Sequence, residues 1–120
     1  VVVGPNGLFA VETKCWSGRV TYEGSGLRVN GVEPSRPPLR QARNSAQALA
    51  RFLGERLGSA PPCTPVVCFA SDTFEPGHLT ADNTVVCNAS ALYSLLVAHA
   101  GHLTSDECER IVKVMEQKDS

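Results

Sequence analysis

Leu8-Phe9-Ala10-Val11-Glu12-Thr13-Lys14 is the stretch that most restricts what this chain can become. Its unbroken apolar start reads as a strand covered on both faces. An acid, a spacer and a base follow. Side chains two apart on a strand share a face, so Glu12 and Lys14 are predicted on one surface and Thr13, as a structural residue, on the other. A carboxylate and an ammonium at the end of a buried strand are expensive to desolvate. Two readings follow: a functional pair, or a structural ion pair at a sheet end.

The flanking elements give this strand its setting. Val1-Val2-Val3 reads as a strand whose beginning is missing, and Gly4-Pro5-Asn6-Gly7 as a turn. There Pro presets φ, Asn tolerates a left-handed conformation and Gly closes the turn. An antiparallel hairpin is therefore predicted. Trp16 is expected to pack at the strand end rather than to stack on a base. Arg19–Tyr22 alternates as a strand, 23–26 turns, Leu27-Arg28-Val29 is a short edge and Asn30-Gly31 turns again. After a lead-in from Pro34, a helix is predicted to begin at Pro38. Its apolar stripe is Leu39, Ala42, Ala46, Leu49, Leu53 and Leu57, and Gly58 is the stop. Pro65–Ala70 reads as a buried central strand, 71–83 as an acidic loop and Thr84–Cys87 as the last strand. Asn88 or Ser90 is expected to cap a helix to about Ala100. Thr104-x-x-Glu107 is a capping box for a final helix to about Lys118. The order predicts an α/β fold, a mixed, hairpin-rich sheet flanked by helices. It lacks the strand–helix alternation and Gly-rich phosphate loop of a doubly wound nucleotide binder.

Composition narrows the classes further. A chain of 120 residues suits one domain. No apolar run reaches the length of a membrane span and no signal-peptide pattern opens the chain. A start at Val1 without Met is expected of a fragment of a longer protein. The net charge of −1 is unevenly spread: residues 1–56 hold eight bases and four acids, residues 57–120 three bases and eight acids. That split fits either a face for an anionic partner or ordinary solvated helix faces. The five cysteines contain no C-x-x-C pair and are read as reduced thiols of a cytoplasmic protein. His78, His99 and His102 read as ordinary surface or core histidines rather than metal ligands.

The run from Val1 through Gly4-Pro5-Asn6-Gly7 and Glu12-Thr13-Lys14 to Trp16-Ser17-Gly18 resembles the signature of the nuclease-related domain, NERD. Pro38-Leu39-Arg40-Gln41 resembles that family's second motif. The family is held to be a branch of the PD-(D/E)xK nucleases, so the resemblance implies a restriction-endonuclease-like fold over residues 1–120 and metal-dependent cleavage of DNA. Glu12 would then be a ligand for Mg²⁺ or Mn²⁺. Lys14 would place a positive charge near the attacking water. Gln41 would orient water or phosphate, beside helix amides that favour an anion. Arg40, Arg43 and Arg51 would contact phosphates. Other domains of a longer chain are the remaining expected partners.

One element of the superfamily pattern is missing: an Asp on the strand before Glu-x-Lys. With Val3 facing Leu8, Glu12 faces the position two residues before Val1, where NERD sequences typically carry an Asp. The sequence is therefore expected to begin just inside the motif and the fragment to bind Mg²⁺ weakly. Asp72, Glu75 and Asp82 read as a solvated loop, one of which could approach a metal. The alternative function is a non-catalytic nucleic-acid-binding or protein-interaction module that keeps the nuclease fold.

Overall fold

The computed structural model describes residues 1–24 and 26–118, with the backbone alone at Lys118. Ser25, within the turn predicted at 23–26, lies outside the described residues. Chain order is β1 (Val2–Gly4), β2 (Gly7–Lys14), β3 (Val20–Glu23), β4 (Gly26–Val29), α1 (Pro38–Leu57), β5 (Cys63–Phe69), β6 (His78–Ala81), β7 (Thr84–Asn88), α2 (Ala89–Ala98) and α3 (Ser105–Lys118). Five strands form a mixed sheet in the order β1-β2-β5-β7-β6, and β3 and β4 form a separate two-stranded sheet. The parallel centre β2-β5-β7 carries an antiparallel hairpin at each edge. This is the predicted α/β architecture, and it is compatible with a restriction-endonuclease-like fold.

The predicted β1–β2 register holds, with Val3 opposite Leu8 and Gly4 opposite Gly7. Strand β2 is covered on both faces. Leu8 and Ala10 pack with Ala46, Leu49 and Leu53 of α1 and Ile111 and Val114 of α3. Phe9 and Val11 face the other way, toward Leu92, Leu95 and Leu96 of α2. Pro65 is tolerated in central β5 because the ladder to β7 begins only at Val66. At Pro65 β5 has one strand neighbour, as an edge would.

Helix α1 follows its predicted stripe: Leu39, Ala42, Ala46, Leu49 and Leu53 are buried. Pro38 starts it, and Gly58 ends it at φ 86°, with its N–H bonded to the Gly54 carbonyl. That left-handed conformation is one that glycine adopts without steric cost.

Two predictions are corrected. Residues 71–83 are not all loop, because β6 pairs with β7 inside them. Asp82 and Asn83 form its two-residue turn with φ of 48° and 64°, which is type I′ chemistry. Helix α2 ends at Ala98, where His99 turns to extended backbone. Asn88 occupies its cap position without a side-chain cap bond. Its buried amide instead accepts from the Phe74 N–H at 3.0 Å and donates to the Phe74 carbonyl at 2.9 Å. The Ser90 hydroxyl donates to Asp72 at 3.0 Å. The capping box at α3 forms in both directions, Thr104 N–H to Glu107 at 2.9 Å and Glu107 N–H to the Thr104 hydroxyl at 3.1 Å.

Candidate active site

Strand alternation points Glu12 and Lys14 at the same helix. The Ser45 hydroxyl of α1 donates to Glu12 Oε1 at 2.9 Å, and Lys14 Nζ donates to Gln41 Oε1 at 3.0 Å. Two residues along a strand span about 6.6 Å. Four residues along a helix rise about 6.0 Å. The two rungs therefore match when the helix runs against the strand, and Gln41 and Ser45 clamp the pair. Thr13 alternates away and is exposed.

Glu12 and Lys14 are not joined by an ion pair among the described residues. Each is half-buried and held by a neutral partner. This matters electrostatically. An amide oxygen fixes the ammonium without cancelling its charge, and a hydroxyl leaves the carboxylate acceptor capacity to spare. Lys14 and Gln41 line an open cleft of about 720 Å³ with Cys15, Trp16, Glu33 and Arg36. Glu12 and Ser45 line a smaller one of about 240 Å³ beside Val1, Phe52 and Met115.

The three arginines assigned to DNA occupy different sides of α1. Arg40 and Arg51 lie on its solvent face, eleven residues and so about 16 Å apart along the axis. Arg43 points to the β6–β7 hairpin. It donates to Thr84 Oγ1 at 3.1 Å and to the Ala81 carbonyl and Asp82 carboxylate, both at 3.4 Å. Arg36 was not singled out from sequence. It lines the Lys14 cleft, and its side chain makes no ion pair with a described residue. Ser45 was also missed. Its signal was the one-turn spacing from Gln41, which matches Glu12 and Lys14 rung for rung.

The suspected loop acids are engaged elsewhere. Asp72 accepts from Ser90, Asp82 meets Arg43 and Glu75 is gripped by Arg19 through two guanidinium nitrogens. That bonding to Arg19 holds the Glu75 carboxyl below its ordinary range. No group of three or more His, Cys, Asp or Glu that could hold a metal occurs among the described residues. A Mg²⁺ site can rest on one or two carboxylates together with phosphate oxygens. Glu12 therefore fits as one ligand of such a site and does not by itself complete it.

The other candidates are part of the scaffold. His99 meets Phe9 edge-on with ring centroids 5.1 Å apart, and its Nδ1 accepts the Gly101 N–H at 3.1 Å. All five cysteines are free, and burial pushes the Cys87 thiol up to about 12 and Cys63 up to about 11. Trp16 packs against Phe69, centroids 5.6 Å apart, as predicted. It also walls the Lys14 cleft. No helix among the described residues is long and apolar enough to cross a membrane.

A mixed α/β sheet of restriction-endonuclease-like form, with Glu-x-Lys ending one parallel strand against a helix that carries Gln, defines a nuclease-related class of protein. Residues 1–70, which include Glu12, Lys14, Arg36, Gln41 and Ser45, match the family model of the nuclease-related domain, NERD. The chain belongs to that family. No curated protein and no solved structure matches it.

Proposed function

We propose that this chain is the DNA-cleaving module of a nuclease, acting through Glu12, Lys14 and Gln41 with a divalent cation, Mg²⁺ or Mn²⁺. The observation that carries the reading is the unpaired state of Glu12 and Lys14. A structural ion pair would have closed on itself, whereas these two groups are held apart by α1, Lys14 beside the open cleft and Glu12 beside the smaller one. The cation would be held by Glu12, and when bound it supplies charge neutralisation on the phosphate and a more acidic water. Lys14 puts a fixed positive charge where negative charge develops on the phosphate. Gln41 keeps that ammonium on station. Arg40, Arg51 and Arg36, which make no ion pair among the described residues, are available for neighbouring phosphates. Residues 71–120 would belong to the same single domain, because β7 and β6 complete the sheet that β1, β2 and β5 begin. Five free thiols suit a reducing, cytoplasmic setting.

The second reading is a non-catalytic nucleic-acid-binding or protein-interaction module. The lone carboxylate favours it, since no metal-holding group of three forms among the described residues. The register bears on the choice: an acid two residues before Val1 in a longer chain would stand opposite Glu12 on β1. Neighbouring strands are about 5 Å apart, within reach of one shared ion. The deciding experiment is plasmid nicking with Mg²⁺ or Mn²⁺, run on residues 1–120 and on a chain extended upstream. Cleavage that is stronger in the extended chain and abolished by Glu12→Gln and by Lys14→Ala, with circular dichroism unchanged, is expected. Cleavage at the parent rate in both variants would sink the assignment of the pair. No cleavage and no gain of Mg²⁺ binding in the extended chain would favour the binding module.

A further inference from the structure

We propose that the cleft beside Lys14 receives a single DNA strand, one base stacking on Trp16 while its flanking phosphates lie on Arg36 and Arg40. This rests on the reading above that the site acts on DNA. At about 720 Å³ the cleft has the size of pockets that enclose one small molecule. A base pair within a duplex has both faces already covered by its neighbours. A base of a single strand, or one turned out of the stack, offers a free face.

The walls suit that guest. Trp16 leans one side on Phe69 and borders the cleft with Val29, Val32 and Pro34. Val32 is 67% exposed there, an apolar surface with no internal cover. The cations sort in the same way. Arg19, Arg28, Arg43 and Arg56 each meet an acid. Arg36 in this cleft and Arg40 in the adjoining one of about 460 Å³ have no such partner among the described residues. Glu33 borders both clefts and repels phosphate from the lead-in wall. The backbone is thereby directed along Arg36 and Arg40 and the base toward Trp16.

Trp16 is the single tryptophan of the chain, so its fluorescence reports the stack. The native chain is titrated, with a chelator present, against a short oligothymidine strand and a duplex of equal length. Quenching by the single strand is expected, with weaker binding and no quenching by the duplex. Trp16→Leu keeps an apolar side chain against Phe69 but removes the stacking face. Its affinity for a labelled single strand is expected to fall about 5- to 160-fold, the range of one base–aromatic stack, and Trp16→Phe to recover most of it. Arg36→Ala is expected to lower the salt slope by about one. Absence of quenching, equal binding of duplex and single strand, or unchanged affinity in Trp16→Leu would overturn the proposal. If Trp16→Leu does not fold, quenching and strand preference in the native chain decide alone. These readouts need neither metal nor cleavage, so single-strand binding by a chain that stays inactive even when extended upstream would defeat the nuclease reading and leave this one standing.

Discussion

Asn88 stands where an asparagine usually caps a helix, yet its amide serves the loop that crosses in front of β7. It gives the Phe74 N–H its partner and shares the Phe74 carbonyl with the Gly77 N–H. Phe74 is 1% exposed and stacks with Phe69 at 5.7 Å, so the loop is drawn into the same cluster that Trp16 leans on. Asn88→Ala leaves the buried Phe74 N–H without its partner. Urea unfolding should show a loss of about 2 kcal/mol, within the range for unsatisfied buried groups. Asn88→Asp should not recover it fully, because one oxygen of a buried carboxylate would face the Phe74 carbonyl oxygen with no proton to donate. At Glu12 and Lys14 the logic is reversed: the partners hold the groups in place and leave their charge available.

Among the elements, α3 is held at its start by the reciprocal bonds of Thr104 and Glu107. Thr104→Ala should cost about 1 kcal/mol, measurable as a lower thermal midpoint. The backbone N–H of Thr104, followed by its hydroxyl-side bonding, holds the Glu107 carboxyl below its ordinary value. A depressed folded pKa means the stabilisation is complete above the unfolded value of about 4.3. It is lost as pH falls through the lower folded value. The advantage of the native chain over Glu107→Gln should therefore shrink in acid below about pH 4. A constant advantage down to pH 2 would mean that Glu107 acts through shape alone. The α2–α3 linker is equally specific. Leu103 N–H bonds the Pro5 carbonyl at 3.0 Å, and a Cβ on Gly101 would stand 2.5 Å from the Asn6 carbonyl oxygen. Only a residue without a side chain lets this linker close over the β1–β2 turn.

At the scale of the whole molecule, α1 is the common support. One side clamps Glu12 and Lys14, another anchors the β6–β7 hairpin through Arg43, and the outer face carries Arg40 and Arg51. Arg43 and Arg40 should therefore separate cleanly in experiment. Arg43→Ala deprives the fully buried Thr84 hydroxyl of its partner and should cost roughly 1–3 kcal/mol of stability, with little change in the salt dependence of DNA binding. Arg40→Ala should leave stability within about 0.5 kcal/mol and lower the salt slope by about one. The opposite pattern would place the phosphate track on the hairpin side of α1.

Local chemistry determined much of this protein. The Gly4–Gly7 turn set the β1–β2 register, the three-and-four spacing of leucine and alanine set the buried side of α1, and Thr104 with Glu107 set the start of α3. Alternation alone placed Glu12 and Lys14 on one face, because side-chain direction along a strand is a property of the backbone. The fold class followed from the order of such elements. The partners of those side chains were another matter. Arg40, Arg43 and Arg51 are alike in sequence, and only packing against β6–β7 separates the committed Arg43 from its exposed neighbours. The β6 strand was hidden because four residues of weak alternation carry little signal until β7 supplies a ladder, although Asp82-Asn83 was a legible turn. Ser45 and Arg36 acquire their roles through space, from residues 33 and 22 positions away, Glu12 and Lys14. Contacts of that kind depend on how a helix is laid across a sheet, and tertiary packing, not local sequence, decides it.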